Sequence, residues 1–351
     1  MLTETKIIDL LKGIRDYDLN RNIIETGGVR NIKISKGNNV SLQIALARTK
    51  TKEQTNIQQN IVSLLKNEGA NSVGLKFEEL SELEINELGG LQSIEYTGPA
   101  LLNPDRSINF ITLTSGKGGV GKSTAAINLA IALVRLGKKV GLIDTDIYGF
   151  SIPKMMAIKE RPSVVEGRIY PVKSFGVKVI SMGFFVEDNG PIIWRGPMLG
   201  KMIDQFFNNV EWGDVEYVIL DLPPGTGDVA LHLNKILPFR KDIIVTTPHQ
   251  TAAFVAARAG KMTIKTENEI LGIIENMSYI QEEEASEKKY VFGQGGGEYL
   301  ARELNTDLLG QIPLSQPSVK EAALETSVYD ENDYVGLIYN DIAEQILEKL
   351  I

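Results

Sequence analysis

The residues with the clearest chemical potential lie in the stretch TSGKGGVGKST, which runs from Thr114 to Thr124. Its spacing, G-x-x-x-x-G-K-S, suits a loop in which glycines allow backbone N–H groups to point at phosphate oxygens. A helix that starts at this point adds its N-terminal dipole. Lys122 can reach the β- and γ-phosphates, and the Ser123 hydroxyl can ligate Mg²⁺. We therefore predict an ATP site whose loop residues are Gly116, Gly118, Gly119, Val120, Gly121, Lys122, Ser123 and Thr124.

Such a loop needs a second carboxylate on the metal side, at the end of another strand. The segment VILDLPPGTGD supplies one, because Asp221 follows four apolar or aromatic residues and precedes a Pro-Pro-Gly turn. We predict that Ser123 and Asp221 together organise Mg²⁺. Asp228 lies in the same turn and has two interpretations: it serves the nucleotide site, or it caps the next helix.

Two further acids, Asp144 and Asp146, stand two residues apart in GLIDTDIYG. This spacing directs both side chains to one side at the carboxyl end of a parallel strand, where open α/β sheets bind their ligands. One of these acids can orient the attacking water of a hydrolysis reaction. The alternative is that they are turn acids bonded to the backbone.

An alternating series of strands and helices must position these residues. From Ile108 onwards, apolar strand segments alternate with helical segments, which is typical of a parallel sheet with helices on both faces. We predict an α/β domain with a doubly wound, mostly parallel sheet over residues 108–351. We expect a small α+β domain over residues 1–95, and a linker rich in Gly, Pro and Ser over residues 96–107.

The composition limits the classes of function. The chain has 351 residues, of which 43% are apolar, enough for a sizeable core, and its net charge of −8 repels nucleic acid and anionic membranes. It has no apolar run of about 18 residues that would span a membrane and no signal-peptide layout, so we expect a cytoplasmic protein. Because the chain has no cysteine, it can form neither disulfides nor thiolate metal sites.

In combination, the motifs GKGGVGKST, IDTDIYG, LDLPPGTGD and ENM resemble the deviant Walker A ATPases. They are most similar to the Mrp/ApbC branch, the P-loop proteins associated with iron–sulfur cluster delivery. The resemblance extends from Ile108 to the C-terminus. It implies a nucleotide-dependent homodimer that hydrolyses ATP slowly until a partner stimulates it. The smaller N-terminal domain resembles one that recurs in iron–sulfur assembly factors.

The same resemblance implies roles for particular residues. Lys117, the second lysine of the loop, would contact the phosphates bound by the other subunit, and Asp146 would position water. Lys117, Asp146 and Lys122 are thus the expected catalytic residues. Asn276 in IIENMS would read the adenine, and Pro313 would flank the base. The stretch from Trp194 to Lys201 is similar to a dimer-facing helix start in this family.

The sequence departs from the family pattern at the cluster ligands. In the cluster-carrying members, a C-x-x-C pair lies between the NMS strand and the FGxGGG segment. Here that interval, YIQEEEASEKKYVFGQGGG, contains no cysteine, and its charge run Gln281–Lys289 is most simply a solvated loop. Iron–sulfur clusters are held mainly by thiolates, so we do not expect this chain alone to hold one.

Three functions remain open at this point. The first is an ATPase that serves iron–sulfur cluster assembly or delivery through a client protein. The second is a nucleotide-regulated transcriptional or protein-binding regulator, similar to cysteine-free family members of Gram-positive bacteria; the acidic net charge gives a nucleic-acid partner no support. The third is a metabolic enzyme that phosphorylates or ligates a small molecule, although no second substrate constellation is visible.

Overall fold

The computed structural model describes residues 2–19, 21–35, 37–49, 51–89, 99–103, 106–146, 149–185, 196–225, 227–281, 287–317 and 326–350. The chain divides into two compact units. The smaller comprises Met1–Gly98 with Asn103–Asp105, and the larger comprises Pro99–Leu102 with Arg106–Ile351. Of the expected linker, residues 96–98 and 104–105 lie outside the described residues, and Ala100–Leu102 form one turn of 3₁₀-helix.

The smaller unit is a three-stranded sheet packed against two helices. In chain order its elements are α1 (Glu4–Leu11), β1 (Arg15–Asp16), β2 (Arg21–Asn22), β3 (Val29–Ser35), β4 (Asn39–Leu46), α2 (Lys52–Asn67), β5 (Ser72–Glu79) and α3 (Glu82–Glu87). Strands β3 and β4 are antiparallel, whereas β4 and β5 are parallel because α2 crosses between them. Ile7, Ile44 and Ile61 are buried in the core between α1, β4 and α2.

The two longer helices of this unit begin at threonine caps. The hydroxyl of Thr3 accepts a hydrogen bond from the Lys6 N–H at 3.2 Å, and that of Thr51 accepts one from the Gln54 N–H at 3.2 Å. Each bond satisfies a backbone donor that the first turn of a helix leaves unpaired. Gly69, with a φ of +95°, follows the end of α2 and turns the chain towards β5.

The larger unit contains a sheet of eight strands, in the order β10-β11-β7-β12-β6-β13-β14-β15. Its elements are β6 (Asn109–Ser115), α4 (Lys122–Arg135), β7 (Val140–Asp144), α5 (Ile152–Met155), β8 (Ser163–Val165), β9 (Arg168–Tyr170), β10 (Val172–Ser174), β11 (Val177–Ser181), α6 (Gly196–Asn208), β12 (Tyr217–Asp221), α7 (Asp228–Ile236), β13 (Lys241–Thr246), α8 (Gln250–Lys265), β14 (Glu269–Glu275), α9 (Gly296–Glu303), β15 (Leu308–Gln311) and α10 (Tyr334–Lys349).

Successive residues of these strands face different helix layers. Ile111 and Leu113 of β6 pack with α4 and α10, whereas Phe110 packs with α6 and α7. Ile244 of β13 packs with α8 and α9. Strand β10 is antiparallel to β11, and the other neighbouring pairs of the sheet are parallel. This architecture confirms the predicted doubly wound, mostly parallel α/β sheet, with a small separate sheet in the N-terminal unit.

The strand order determines where a ligand can bind. Strand β6 lies between β12 and β13, and the next strand of the chain, β7, lies beyond β12. The chain therefore first adds strands on the β12 side of β6 and later adds β13, β14 and β15 on the other side. In open α/β sheets, such a switch point opens a crevice at the carboxyl ends of the strands. The motif residues that follow β6, β7 and β12 meet at this crevice.

Short strands between residues 163 and 181 were not predicted from the sequence. They comprise the β8–β9 ladder and the β10–β11 hairpin, whose turn uses Phe175 and Gly176 with φ angles of +48° and +80°. Strands β8, β9 and β10 have only three residues each and include exposed positions, and β11, although mostly buried, has only five residues. Such short segments give a weak periodicity signal. Among the helices within the described ranges, none is long and apolar enough to cross a membrane.

Candidate nucleotide-binding site

The glycine loop joins the end of β6 to the start of α4, and two of its glycines, Gly116 and Gly121, leave no room for a side chain. A Cβ on Gly116 would lie 2.4 Å from the backbone nitrogen of Ala256 in α8. A Cβ on Gly121 would lie 2.0 Å from the Asn276 side-chain nitrogen, and this residue has a φ of +83°. Gly119 also lies in the left-handed region, with a φ of +79°. The loop conformation therefore depends on these glycines.

Lys122 and Ser123 both contact Asp221, although 99 and 98 positions of sequence separate them from it. The Lys122 ammonium donates to one carboxylate oxygen at 2.5 Å, and the Ser123 hydroxyl donates to the other at 2.5 Å. Lys122 and Asp221 are both buried. The three groups expected to handle phosphate and Mg²⁺ thus form one cluster at the N-terminus of α4.

The sheet register explains how Asp221 reaches this position. Strand β12 pairs with β6 and β7, and Asp221 stands opposite Leu113 on one side and Asp144 on the other. Thr145 continues β7 and donates both its N–H, at 3.0 Å, and its hydroxyl, at 2.8 Å, to the Asp221 carbonyl. The turn after β12 is held against the loop by a bond from the Gly225 N–H to the Ser115 carbonyl at 2.8 Å.

The buried carboxylates outnumber the buried ammonium at this site. Burial, followed by the negative charge of Asp221, raises the pKa of Asp144 to about 8, and the Ser181 hydroxyl, 2.8 Å away, opposes that rise. Burial also raises the pKa of Asp221, while Lys122 and Ser123 act in the opposite direction. Two acids that share one ammonium favour additional positive charge, and hydroxyl and carboxylate oxygens are ligands that Mg²⁺ prefers. The residues present therefore fit the expected metal.

Asp146 lies at the rim of the same crevice and is half-buried. Its N–H donates to Asp144 Oδ1 at 3.1 Å, and its own Oδ1 accepts from the Gly149 N–H at 3.0 Å. The carboxylate is thus held by the backbone of a turn, as the alternative interpretation of this acid pair describes. Its role in orienting water stays a prediction.

The remaining members of the predicted nucleotide site lie at the same end of the sheet. Asn276 follows β14, and its buried amide donates to the Val120 carbonyl of the loop at 2.9 Å. Pro313 is buried after β15, next to Ile312, whose carbonyl accepts from the Ser278 N–H at 2.8 Å. Asn276 is therefore in direct contact with the loop. Its role as the adenine reader, and that of Pro313 beside the base, remain predictions.

Lys117 is exposed on the outer part of the loop, as are Gly118 and Gly119, whereas Thr124 is half-buried in the first turn of α4. The Lys117 carbonyl accepts from the Ser115 hydroxyl at 3.1 Å, which fixes the backbone at this lysine while its side chain projects outwards. A solvated lysine and a lysine offered to another subunit would both lie here.

The structure can be compared with three further predictions from the sequence, for Asp228, for the stretch from Trp194 to Lys201 and for the charge run Gln281–Lys289. Asp228 is exposed and is the first residue of α7, whose N-cap is Gly227, so Asp228 is not the capping residue. Of the expected dimer-facing stretch, Trp194 and Arg195 lie outside the described residues, and α6 begins at Gly196. Of the charge run Gln281–Lys289, residues 282–286 lie outside the described residues.

Sequence reasoning missed two buried polar groups at strand ends beside the site. Ser181, at the end of β11, donates to Asp144, and Glu275, at the end of β14, is a buried carboxylate beside Asn276. Both are polar residues that end apolar strands, which is the signal that identified Asp144 and Asp221. Ser181 belongs to no motif with recognised spacing, and Glu275 is the first residue of the ENM motif, in which only Asn276 was given a role.

Comparison with known proteins assigns the larger unit to a protein family. Residues 107–347 match the family model described as NUBPL iron-transfer P-loop NTPase. The chain belongs to this family. A second model, described as iron–sulfur cluster assembly protein, matches residues 4–73, which lie in the smaller unit. These matches confirm the resemblance that the motifs indicated.

Curated relatives of this NUBPL-type NTPase carry names from iron–sulfur biology. The iron–sulfur cluster carrier protein of Bacillus subtilis is 54% identical over 351 residues, which is 100% of this chain and 99% of the relative. The mouse iron–sulfur cluster transfer protein NUBPL is 41% identical over 216 residues, covering 61% of this chain and 67% of the relative.

Solved structures support the fold of this NTPase. A nucleotide-binding protein of Archaeoglobus fulgidus, solved with ADP and found to contain cobalt, has a TM-score of 0.52 and 32% identity; the match covers 68% of this chain and 87% of that one. The cell-division ATPase MinD of Pyrococcus furiosus has a TM-score of 0.50 and 22% identity, over 69% of this chain and 99% of that one. At that identity the second likeness shows the fold alone.

Proposed function

We propose that this NTPase is a Mg²⁺-dependent, ATP-hydrolysing dimeric switch that serves iron–sulfur cluster assembly or delivery without cluster thiolates of its own. The observation that carries the proposal is the convergence of Lys122 and Ser123 on one buried carboxylate, Asp221, at the glycine loop. This set of groups binds phosphate and metal in P-loop enzymes. The family membership supports the same reaction.

The loop groups would bind the triphosphate in a defined way. The backbone N–H groups around Gly119 and Gly121 surround the place where phosphate oxygens would lie, and the α4 N-terminus adds partial positive charge. The Lys122 ammonium rests on Asp221 and can move to a phosphate, whose oxygens accept charge-assisted hydrogen bonds as the carboxylate does. ATP binding would then release one oxygen of Asp221.

The Ser123 hydroxyl and the Asp221 carboxylate are the residues that would hold Mg²⁺. When bound, the metal would neutralise charge on the phosphate oxygens and act as a Lewis acid. The protein's own part is to present both oxygens from rigid elements, since Ser123 lies in the first turn of α4 and Asp221 ends a central strand. Thr145 fixes the backbone of Asp221 through two hydrogen bonds, which keeps the carboxylate in place.

Hydrolysis would need a positioned water and more positive charge than one subunit supplies. Asp146 would release the turn N–H of Gly149 and accept a hydrogen bond from the attacking water. Lys117, exposed at the loop, would contact the phosphates of the partner subunit across a dimer interface. Turnover would therefore be slow until assembly brings the second loop into place.

The cargo would be an iron–sulfur cluster or its precursor, handled together with a client protein. The names of the Bacillus subtilis and mouse relatives support this cargo. The chain has no cysteine, so the thiolates that hold a cluster must come from the client. ATP binding and hydrolysis would then control docking of the client, rather than the occupancy of a thiolate site on this chain.

A second candidate is a nucleotide-controlled regulator without cluster chemistry, which the lack of cysteine favours. This candidate predicts a protein or nucleic-acid target captured in the presence of ATP and released with ADP. It also predicts that loss of the chain leaves iron–sulfur enzymes fully active, in contrast to the first proposal.

Deletion of the gene for this chain is expected to lower the activity of iron–sulfur enzymes in cells several-fold. The measurement is the activity of a cluster-dependent dehydratase, with a metal-free enzyme of the same cells as the control. The wild-type chain should restore the activity, and the Lys122→Ala variant, expressed to the same level, should not. Unchanged dehydratase activity in the deletion strain would reject the cluster role and favour the regulator.

A further inference from the structure

Glu275, the last residue of β14, and Asn276, which follows it, direct their side chains to different places: Asn276 to the glycine loop and Glu275 to α9. Asn276 contacts the glycine loop, where its amide donates to the Val120 carbonyl at 2.9 Å. The absence of a Cβ on Gly121 makes room for this amide, because an ideal Cβ there would lie 2.0 Å from the amide nitrogen. Any ligand that shifts the loop therefore acts on the end of β14.

The Glu275 side chain points away from the glycine loop, towards β15 and α9, and is 1% exposed. One carboxylate oxygen accepts from the Ser278 hydroxyl at 2.8 Å and from the Gln311 amide at 2.9 Å. The other accepts from the Gly297 N–H at 2.5 Å. Three elements, namely the chain after β14, strand β15 and the first turn of α9, are thus bonded to one side chain.

The start of α9 is built to receive this carboxylate. A Cβ on Gly297 would lie 2.8 Å from the Glu275 Cβ, and one on Gly296 would lie 2.5 Å from the Pro248 carbonyl oxygen, so only glycines allow the helix to approach this closely. A carboxylate at a helix N-terminus is stabilised both by the free N–H groups and by the helix dipole. The contact is therefore strong and specific in direction.

The segment that precedes α9 carries exposed apolar side chains. Residues 287–295 lead into the helix, and Tyr290, Val291 and Phe292 are consecutive exposed apolar side chains. The start of this segment is held by reciprocal backbone hydrogen bonds between Ile280 and Lys289, at 2.8 and 2.9 Å. A displacement of α9 or of the chain after β14 would therefore move this segment, which we call the entry segment (287–295).

We infer that Glu275 is a positioning residue that couples the glycine loop to the entry segment and α9. The coupling runs from the loop through Asn276 to the end of β14, and from there through the Glu275 carboxylate to Gly297. The inference rests on the proposed function in one respect, namely that the ligand of the loop is a nucleotide. It deepens that proposal by identifying residues 287–303 as the part of the surface whose conformation reports nucleotide binding.

Hydrogen–deuterium exchange of the full chain tests the coupling. Mg²⁺ with a slowly hydrolysed ATP analogue should slow exchange in peptides from residues 287–303 of the wild type by about fivefold or more, the lower end of measured couplings between sites. The Glu275→Gln variant should lose this response, because an amide cannot accept from all three donors at once. Its affinity for the analogue should fall by no more than the coupling factor itself, because coupling is reciprocal and Asn276 and the loop are unchanged.

Glu298→Gln is the matched control. Glu298 is an exposed acid in the same first turn of α9, and it should keep the full exchange response. A normal response in Glu275→Gln, or a wild type that binds the analogue without any change in residues 287–303, would overturn the inference. A wild type that does not bind the analogue would instead reject the proposed function. If Glu275→Gln does not fold, Gln311→Leu removes one donor only and should weaken the response; an unchanged response there would also overturn the inference.

Discussion

Replacing Lys117 by alanine is expected to abolish ATP hydrolysis while leaving ATP binding nearly intact. A cation supplied across an interface to the transferring phosphoryl group contributes about 10³-fold or more to turnover. Lys117 is exposed on the loop and does not take part in the Lys122–Asp221 cluster, so its removal leaves the binding groups in place. Steady-state turnover and ATP affinity, measured on the same preparation, separate the two effects.

Mixing two inactive variants tests whether Lys117 acts in the partner subunit. Lys117→Ala keeps its own Asp146, and Asp146→Ala keeps its own Lys117, so a mixed dimer contains one complete site. An equal mixture should recover about a quarter of the wild-type rate, because about half of the dimers are mixed and one of their two sites is complete. No recovery, or full turnover by Lys117→Ala alone, would contradict the role across the interface.

Replacing Lys122 by alanine is expected to act on binding itself. A hydrogen bond to a charged group contributes about 1.5–3 kcal/mol, so ATP affinity should fall by about 10- to 150-fold. The change also leaves Asp221 buried without its ammonium partner, and breaking a buried pair costs about 3–5 kcal/mol of folding stability. Calorimetric titration with ATP and urea unfolding of the same variant measure the two effects.

Lys139→Ala is the control for Lys122→Ala, because Lys139 is an exposed lysine paired with Asp214 at 2.6 Å. Surface pairs contribute at most about 1 kcal/mol, so its stability and ATP affinity should stay close to wild type. If Lys122→Ala bound ATP as tightly as this control, the loop lysine would not be a phosphate ligand, and the assignment of the site would be wrong.

The motifs predicted the fold of the larger unit well, because they combine local conformation with chemistry. The glycine loop can connect only a strand to a helix start, and the acids that end apolar strands must lie at the carboxyl edge of a parallel sheet. Asp221 was therefore expected near Lys122 even though they are 99 residues apart, and the structure places them in contact at 2.5 Å.

Contacts that depend on register and on long-range packing were not predictable in the same way. Glu275 lies in the ENM motif, but its contacts become visible only when β15 and the α9 glycines are placed around it. Asp242 is a similar case. It is a buried acid that accepts hydrogen bonds from Arg240 at 3.0 Å and from the Thr263 hydroxyl at 2.5 Å, and no local sequence pattern predicts either bond. The hairpin of β10 and β11 was missed because its strands are short.

The absence of cysteine was the most informative feature of the sequence, because it separates two parts of the family's chemistry. Under the proposed function, the phosphate site carries the residues that would act in ATP hydrolysis, whereas the chain offers no thiolate for a cluster. We therefore propose nucleotide chemistry for this chain and cluster ligation for a client. The entry segment, which includes Tyr290 and Phe292, is the surface that would report the nucleotide state to that client.

The measurement that tests this account most directly is anaerobic incubation of the purified chain with iron and sulfide in a thiol-free buffer, with and without Mg²⁺ and ATP. Gel filtration, an absorption spectrum and an iron assay then follow on the eluted protein. The account predicts a colourless protein with substoichiometric iron that still hydrolyses ATP. A stoichiometric cluster that elutes with a dimer would contradict it, because the chain would then hold its cargo through ligands other than thiolates.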